Sequence, residues 1–399
     1  MEPTVSAGNA DDTARTLAAM LPPALAPIFS GPFIRSCRRY EEFISRLAIG
    51  VFRAAGLEAA AREPGRPEEI AARAGLEPQR ALAPLDWILR RLAMLGVVRP
   101  SSQPAGGFQL SGPVPDLDPR SLRDEQSRDD PSWLPSYTLA ETVAQDYPAF
   151  LRGQRSGEEV LFSPARLRLW MEFFSNDNGL YAVNNLVGTA AVEQWMPPGP
   201  LLALELGGGL GSAALALLER LRAAGRWPEF REYRFTELVP AFLRRGERAL
   251  VTRWPDAAFL SFCPLDMNQP FAAQGVERAS VGLVYAVNTL HVARDLAFTL
   301  GQVFQSLSPG GRLIISECVR PLPGQAIDVE FIFNLMETFR SPVLHPLYRP
   351  NGGFLTPELW HRALEAARFV DVRFIPDIRA LRQRFPTFNV AAIATTRPP

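Results

Sequence analysis

The residues best placed to do chemistry stand at the ends of short apolar runs. They are Glu205 in LLALEL, Glu237 in FTELVP, Asp266 in CPLDM, Asn288 and His291 in AVNTLHV, and Glu317 in IISEC. An imidazole held at one nitrogen by a carboxylate becomes a better proton acceptor at the other. The chain has three histidines, and the other two, His345 and His361, fall in the C-terminal segment. His291 with Glu317 is therefore the candidate general-base pair. The three cysteines, Cys37, Cys263 and Cys318, show no C-x-x-C spacing, so no metal site is expected.

Glu205 is followed by Gly207, Gly208, Gly209, Leu210 and Gly211, then by the helical run AALALLERL. A strand that turns through glycines into a helix gathers backbone N–H groups at one spot, where a ligand can approach closely. A nicotinamide dinucleotide would want G-x-G-x-x-G, but Ser212 breaks that spacing and only the weaker Gly209 to Ala214 pattern survives. E-x-G-x-G-x-G better suits a cationic ligand without phosphates, such as S-adenosylmethionine. On this reading Glu237 accepts from the ribose hydroxyls. Asp266 accepts from the adenine amino group, Met267 lies against the ring, and Asn288 completes the cofactor site. A sulfonium methyl is already activated, so transfer needs only a positioned nucleophile, a base and exclusion of water.

These residues must be held by a sheet. Strand patterns read at 201–206, 232–237, 258–262, 280–287 and 312–317, with helices at about 211–224, 239–253 and 293–308. Alternation of this kind marks a doubly wound parallel sheet, with SPGG at 308–311 as a tight turn. FVDVRFIP (369–376) and NVAAIATT (389–396) leave no room for a helix of ordinary length between them. They predict an antiparallel hairpin at the edge of a mostly parallel seven-stranded α/β sheet.

Before the sheet the pattern is mainly helical. Residues 1–11 read as a disordered tail, 12–29 and 38–56 as helices, and 67–100 as two helices running into a hairpin, a winged-helix arrangement. Residues 111–136 read as a linker, and helices follow at about 138–153 and 165–195. The expected domains are 12–130, a helical cap and connector at 131–198, and a catalytic domain at 199–399 with a cap insertion near 326–356. Tyr181 and Asn185, with Phe331 and Met336 in an apolar pocket, are the candidate substrate contacts.

Composition narrows the function. The 399 residues carry 42 basic and 42 acidic side chains, so net charge gives no drive toward nucleic acid or an anionic membrane. Every basic residue apart from histidine is arginine, which removes lysine chemistry. Nothing at the N-terminus resembles a signal peptide, and the protein is expected in the cytoplasm. The helix Pro78 to Leu95 would be a DNA-recognition helix in a ligand-sensing regulator. It is too apolar for a groove, and a packing role, including homodimerisation, suits it better.

ELGGGLG, the acid in FTELVP, LDM, and AVNTLHVARDL with LSPGGRLIISE together resemble a class I S-adenosylmethionine-dependent methyltransferase. YPAFLRGQRSGEEVLFSP and YAVNN before the glycine loop are similar to the C-methyltransferase domains of polyketide synthases. That resemblance implies that His291 and Glu317 deprotonate the α-carbon of a β-ketoacyl thioester, presented free or on a carrier protein. The N-terminal pattern also resembles small-molecule O-methyltransferases, whose L-H-D-W motif is matched here by Leu290 and His291 but not by Val292 and Ala293. Methylation of a hydroxyl is the alternative.

Overall fold

The computed structural model describes residues 9–399. The expected disordered tail falls mostly outside them, and Ala10 already opens a helix, Ala10–Ala18. The chain forms two compact units. One comprises the described residues up to Arg15, with Ser30–Phe173 and Gly324–Arg340; the other comprises Thr16–Phe29, Phe174–Pro323 and Ser341–Pro399. This division falls elsewhere than the boundaries read from the sequence.

The first unit is built on the helix Gly31–Ala54, capped by the Ser30 hydroxyl, which accepts from the Phe33 N–H. It starts earlier than expected because Ser30 supplies a cap that the apolar pattern alone does not reveal. Phe43, Ile44, Val51 and Phe52 are buried along it. Helices Pro67–Arg73 and Pro78–Met94 follow, then β1 (Val98–Ser101) and β2 (Gly107–Leu110), an antiparallel hairpin. Leu85, Trp87, Ile88 and Leu92 on Pro78–Met94 are core residues, so these side chains are committed to packing. The expected linker contains a helix, Arg120–Asp129, tied to the long helix where the Gln126 amide donates to the Ser36 hydroxyl.

The second unit holds the sheet. Its strands are β3 (Leu201–Leu206), β4 (Phe230–Thr236), β5 (Leu260–Cys263), β6 (Val281–Val287), β7 (Leu307–Cys318), β8 (Val370–Ile375) and β9 (Val390–Thr396). Their order is β5-β4-β3-β6-β7-β9-β8. The pairs from β5 to β7 are parallel, and β9 runs antiparallel to both β7 and β8. β8 forms the edge, and β9 is inserted beside β7. A four-residue helix, Ile378–Leu381, spans the gap that sequence left without a regular helix.

Several local expectations are corrected. SPGG is part of β7 rather than a turn before it, because Gly310 and Gly311 pair with Arg397 across the strand end. The run 165–195 is broken into Leu167–Phe173 and Gly179–Trp195, where Asn178 caps the second helix by accepting from Leu180 N–H. The helix expected over 12–29 stops at Ala18, ahead of Pro22 and Pro23. No described helix is long and apolar enough to cross a membrane.

Candidate active site

The strand order reverses between β3 and β6, so their carboxyl ends open a crevice where ligands of such sheets bind. β3 delivers Glu205 and the glycine loop there, β6 delivers Asn288 and His291, and β7 delivers Glu317. Gly207 has φ +60, and a Cβ at that position would run into the Thr289 hydroxyl. The loop after β3 thus lies directly against the loop after β6, an approach only glycine permits.

Three N–H groups of the glycine loop are already taken up within the protein. Gly208 N–H donates to the Thr236 carbonyl at 2.8 Å and Gly211 N–H to the Gly208 carbonyl at 2.9 Å. Gly209 N–H donates to Glu237 Oε2 at 2.9 Å. A pyrophosphate needs such N–H groups turned toward it and would meet a carboxylate instead. The geometry therefore disfavours a dinucleotide. Glu237 also accepts from Val239 N–H at 2.8 Å. A carboxylate has about four acceptor sites, so it keeps capacity for a pair of vicinal hydroxyls. Beside it Gly209 has φ +58, and a Cβ there would meet nothing within 4 Å. The crevice is open where the loop would face a nucleoside.

Glu205 is 1% exposed and accepts from the Tyr233 hydroxyl at 2.9 Å. Burial pushes its carboxyl up to about 8, opposed in part by that hydrogen bond and reinforced by the Glu237 charge. The half-buried Tyr181 lies within the field of Glu205, Glu317 and Glu237, which add to burial in pushing its phenol well above the ordinary range.

His291 sits in a short 3-10 turn, Leu290–Val292, and not at the start of a helix as expected; the helix begins at Leu296. Its Nδ1 lies 2.7 Å from Glu317 Oε2. The other carboxylate oxygen, Oε1, accepts from the backbone N–H of Thr289, Leu290 and His291 at 3.1, 2.9 and 3.2 Å. A carboxylate so placed accepts only, so Nδ1 carries the proton and Nε2 becomes the basic nitrogen. Phe354 packs on the imidazole with ring centroids 4.7 Å apart.

Asn288 has φ +48, a strained position for a residue other than glycine, and its Oδ1 accepts from Asn184 Nδ2 at 2.9 Å. Asn185 is fully buried and donates to Asn176 Oδ1, which places it behind the start of the helix Ser212–Ala223, since Asn176 in turn donates to the Ser212 carbonyl. The Asp266 carboxylate accepts from Asn268, and the Met267 carbonyl accepts from the Thr299 hydroxyl, both in the loop after β5. Phe331 and Met336 belong to the helical unit, where Phe331 is fully buried with its ring against Trp87 and Tyr147. Tyr233, Thr289 and Arg349 escaped sequence reading, because each earns its place only through a neighbour far along the chain.

Residues 204–313 match the family model described as a methyltransferase domain. The chain carries a methyltransferase domain over this stretch. Among curated relatives, highly reducing polyketide synthase 2 of Gibberella zeae is 30% identical over 242 residues, 59% of this chain and 9% of that protein. Polyketide synthase PksR of Bacillus subtilis is 26% identical over 247 residues, 60% of this chain and 9% of that protein. The chain thus corresponds to a small part of each of these relatives. Among solved structures, the CurJ carbon methyltransferase superposes with a TM-score of 0.76 at 22% identity, covering 98% of this chain and 100% of that one. The CMeT domain of the citrinin polyketide synthase gives 0.71 at 18% identity, covering 100% and 98%. At these identities the likeness establishes the fold.

Proposed function

We propose that the chain is a C-methyltransferase of secondary metabolism, acting on a polyketide-like or acyl substrate with His291 as general base. The observation that carries this is the His291 Nδ1 to Glu317 Oε2 contact of 2.7 Å at the carboxyl ends of β6 and β7, beside the glycine loop. The polyketide synthases among the relatives supply the substrate class.

When bound, S-adenosylmethionine supplies an electrophilic methyl group on a sulfonium. The donor set suits it: Glu237 has acceptor capacity for ribose hydroxyls, Gly209 leaves the crevice open, and Glu205 can meet an ammonium. Asp266 and Met267 are assigned to the adenine and Asn288 to the donor site. His291 Nε2 takes the proton from the α-carbon of a β-ketoacyl thioester, and the bonding pair passes to the substrate as an enolate. Glu317 holds Nδ1–H throughout and stabilises the imidazolium that results. Tyr181, within the field of Glu205, Glu317 and Glu237, is assigned to the substrate side.

His291→Ala tests the reading. It should bind S-adenosylhomocysteine with unchanged affinity yet lose about a hundredfold or more in turnover. Product mass spectrometry with acetoacetyl-N-acetylcysteamine, a carrier-bound acetoacetyl thioester and a phenol, each with labelled donor, separates carbon from oxygen methylation. Wild-type turnover by the variant removes His291 as base, and methylation of the phenol alone removes C-methylation.

A further inference from the structure

Arg349 is 0% exposed in the sheet-bearing unit, and among the described residues no carboxylate is in direct contact with its guanidinium. Nη2 donates to the His291 carbonyl at 2.7 Å and Nη1 to the Ala293 carbonyl at 3.3 Å, while Nε has no partner among the described residues. Burial lowers the guanidinium to about 10, and the fields of Glu317 and Asp295 offset this in part. A core built for stability alone would not bury a cation in this way. The arrangement calls for a local purpose.

That purpose is visible in the turn that carries His291. Glu317 Oε1 gathers the N–H groups of Thr289, Leu290 and His291 on one side of it. Arg349 gathers the carbonyls of His291 and Ala293. The arginine is itself fixed by a two-way backbone pairing with His345, whose N–H donates to the Arg349 carbonyl at 2.9 Å and whose carbonyl accepts from Arg349 N–H at 2.8 Å. Val343 N–H adds a third tie, to the Arg294 carbonyl at 2.7 Å. Phe354, five residues beyond Arg349, packs on the imidazole. The segment from Val343 to Phe354 therefore grips the backbone of His291, Ala293 and Arg294 and the ring of His291. A planar fork can bridge two carbonyls where a lysine ammonium, a point donor, cannot hold both in register.

We propose that Arg349 is a positioning residue: it clamps the Thr289–Ala293 turn from the side opposite Glu317 and so aims the His291 imidazole for proton transfer. This rests on the reading of His291 as base. Arg349 does not touch the reacting atoms. Its effect reaches them through the His291 backbone, where a small displacement of a catalytic group lowers turnover by up to about a hundredfold.

Three variants test it in the full chain. Arg349→Met keeps much of the side-chain volume and should lose about 10- to 100-fold in kcat with acetoacetyl-N-acetylcysteamine. Its KM and its Kd for S-adenosylhomocysteine should change by less than about threefold. Arg349→Ala should recover part of its kcat on addition of millimolar guanidinium, and Arg349→Lys should remain impaired. By proton NMR the wild type should show a downfield His291 Nδ1–H resonance, absent in His291→Asn and exchange-broadened in Arg349→Met. A folded Arg349→Met with wild-type kcat and an unchanged resonance overturns the proposal. So does a loss of ligand binding in step with kcat in all three variants, without guanidinium rescue, which would mark Arg349 as structural only. If His291→Ala is active, the base reading falls, while the resonance still tests the clamp. If His291→Ala is inactive and Arg349→Met is not, the clamp alone falls.

Discussion

Glu205 and Glu317 occupy equivalent places near the carboxyl ends of β3 and β7, two strands of one sheet with β6 between them, and both are buried. Their surroundings differ. Glu317 sits among three backbone N–H groups and an imidazole N–H, all on the turn after β6. Glu205 accepts from one phenol, and burial raises it to about 8. The first is a carboxylate whose partners are all provided by the protein, so it is ready before any ligand arrives. The second is underprovided, which suits a group that waits for a cation. Donors, rather than residue type or depth, separate an orienting acid from a binding one.

Breaking the first environment should have the largest effect. Glu317→Gln keeps the volume and one acceptor oxygen, but its amide would donate to Nδ1. That moves the imidazole proton to Nε2 and removes the base. In a Ser–His–Asp triad the corresponding change lowers kcat by about 10⁴. A loss of about 10² to 10⁴ is expected here in steady-state assays, with S-adenosylhomocysteine affinity unchanged in calorimetry. Glu317→Ala also leaves three buried N–H groups without an acceptor. It should destabilise the protein by about 3 kcal/mol or more, read as a fall in denaturant midpoint.

Altering the second environment should have the opposite sign for stability. A carboxyl raised to about 8 from 4.5 keeps its proton in the folded state while the unfolded chain loses it. Stability therefore falls as pH climbs from about 4.5 to 8, by an amount on the order of a few kcal/mol, and is level above that. Glu205→Gln retains an acceptor for Tyr233 and escapes this loss. Its thermal midpoint should match wild type at pH 5 and exceed it at pH 9, while donor affinity drops by about tenfold or more. The same logic predicts proton release. Near pH 7 a cationic donor should displace up to one proton from Glu205, seen as binding enthalpy that varies with the ionisation enthalpy of the buffer. The dependence should vanish at pH 9.5 and in Glu205→Gln.

This contrast also explains what the sequence made legible. Glycines after an apolar run and acids at successive strand ends announce the sheet, the crevice and the His291–Glu317 pair, because strand ends place their residues by topology. Periodicity says nothing of partners brought from elsewhere. Tyr233 reaches Glu205 only through the β3–β4 register, and Arg349 is one arginine in a chain where arginine supplies all the permanent positive charge. The same limit applies to Phe331. An aromatic at helical spacing reads alike whether it faces a ligand or, as here, Trp87 and Tyr147.

The mildest perturbation tests whether the two environments are separable at the glycine loop that lies between them. Gly207 and Gly209 share positive φ, so alanine at either should strain the backbone by about 1–2 kcal/mol. They differ in what the added methyl meets. At Gly207 it meets Thr289, whose N–H is held by Glu317, so Gly207→Ala should displace the turn that carries His291 and lower kcat. At Gly209 it meets open space on the ligand side. Gly209→Ala should weaken S-adenosylhomocysteine binding about three- to tenfold, the equivalent of roughly 1 kcal/mol, and leave kcat at saturating donor unchanged. A fall in kcat at Gly209 equal to that at Gly207 would mean that loop and turn move as one body, and the division between a binding acid and an orienting acid would have to be given up.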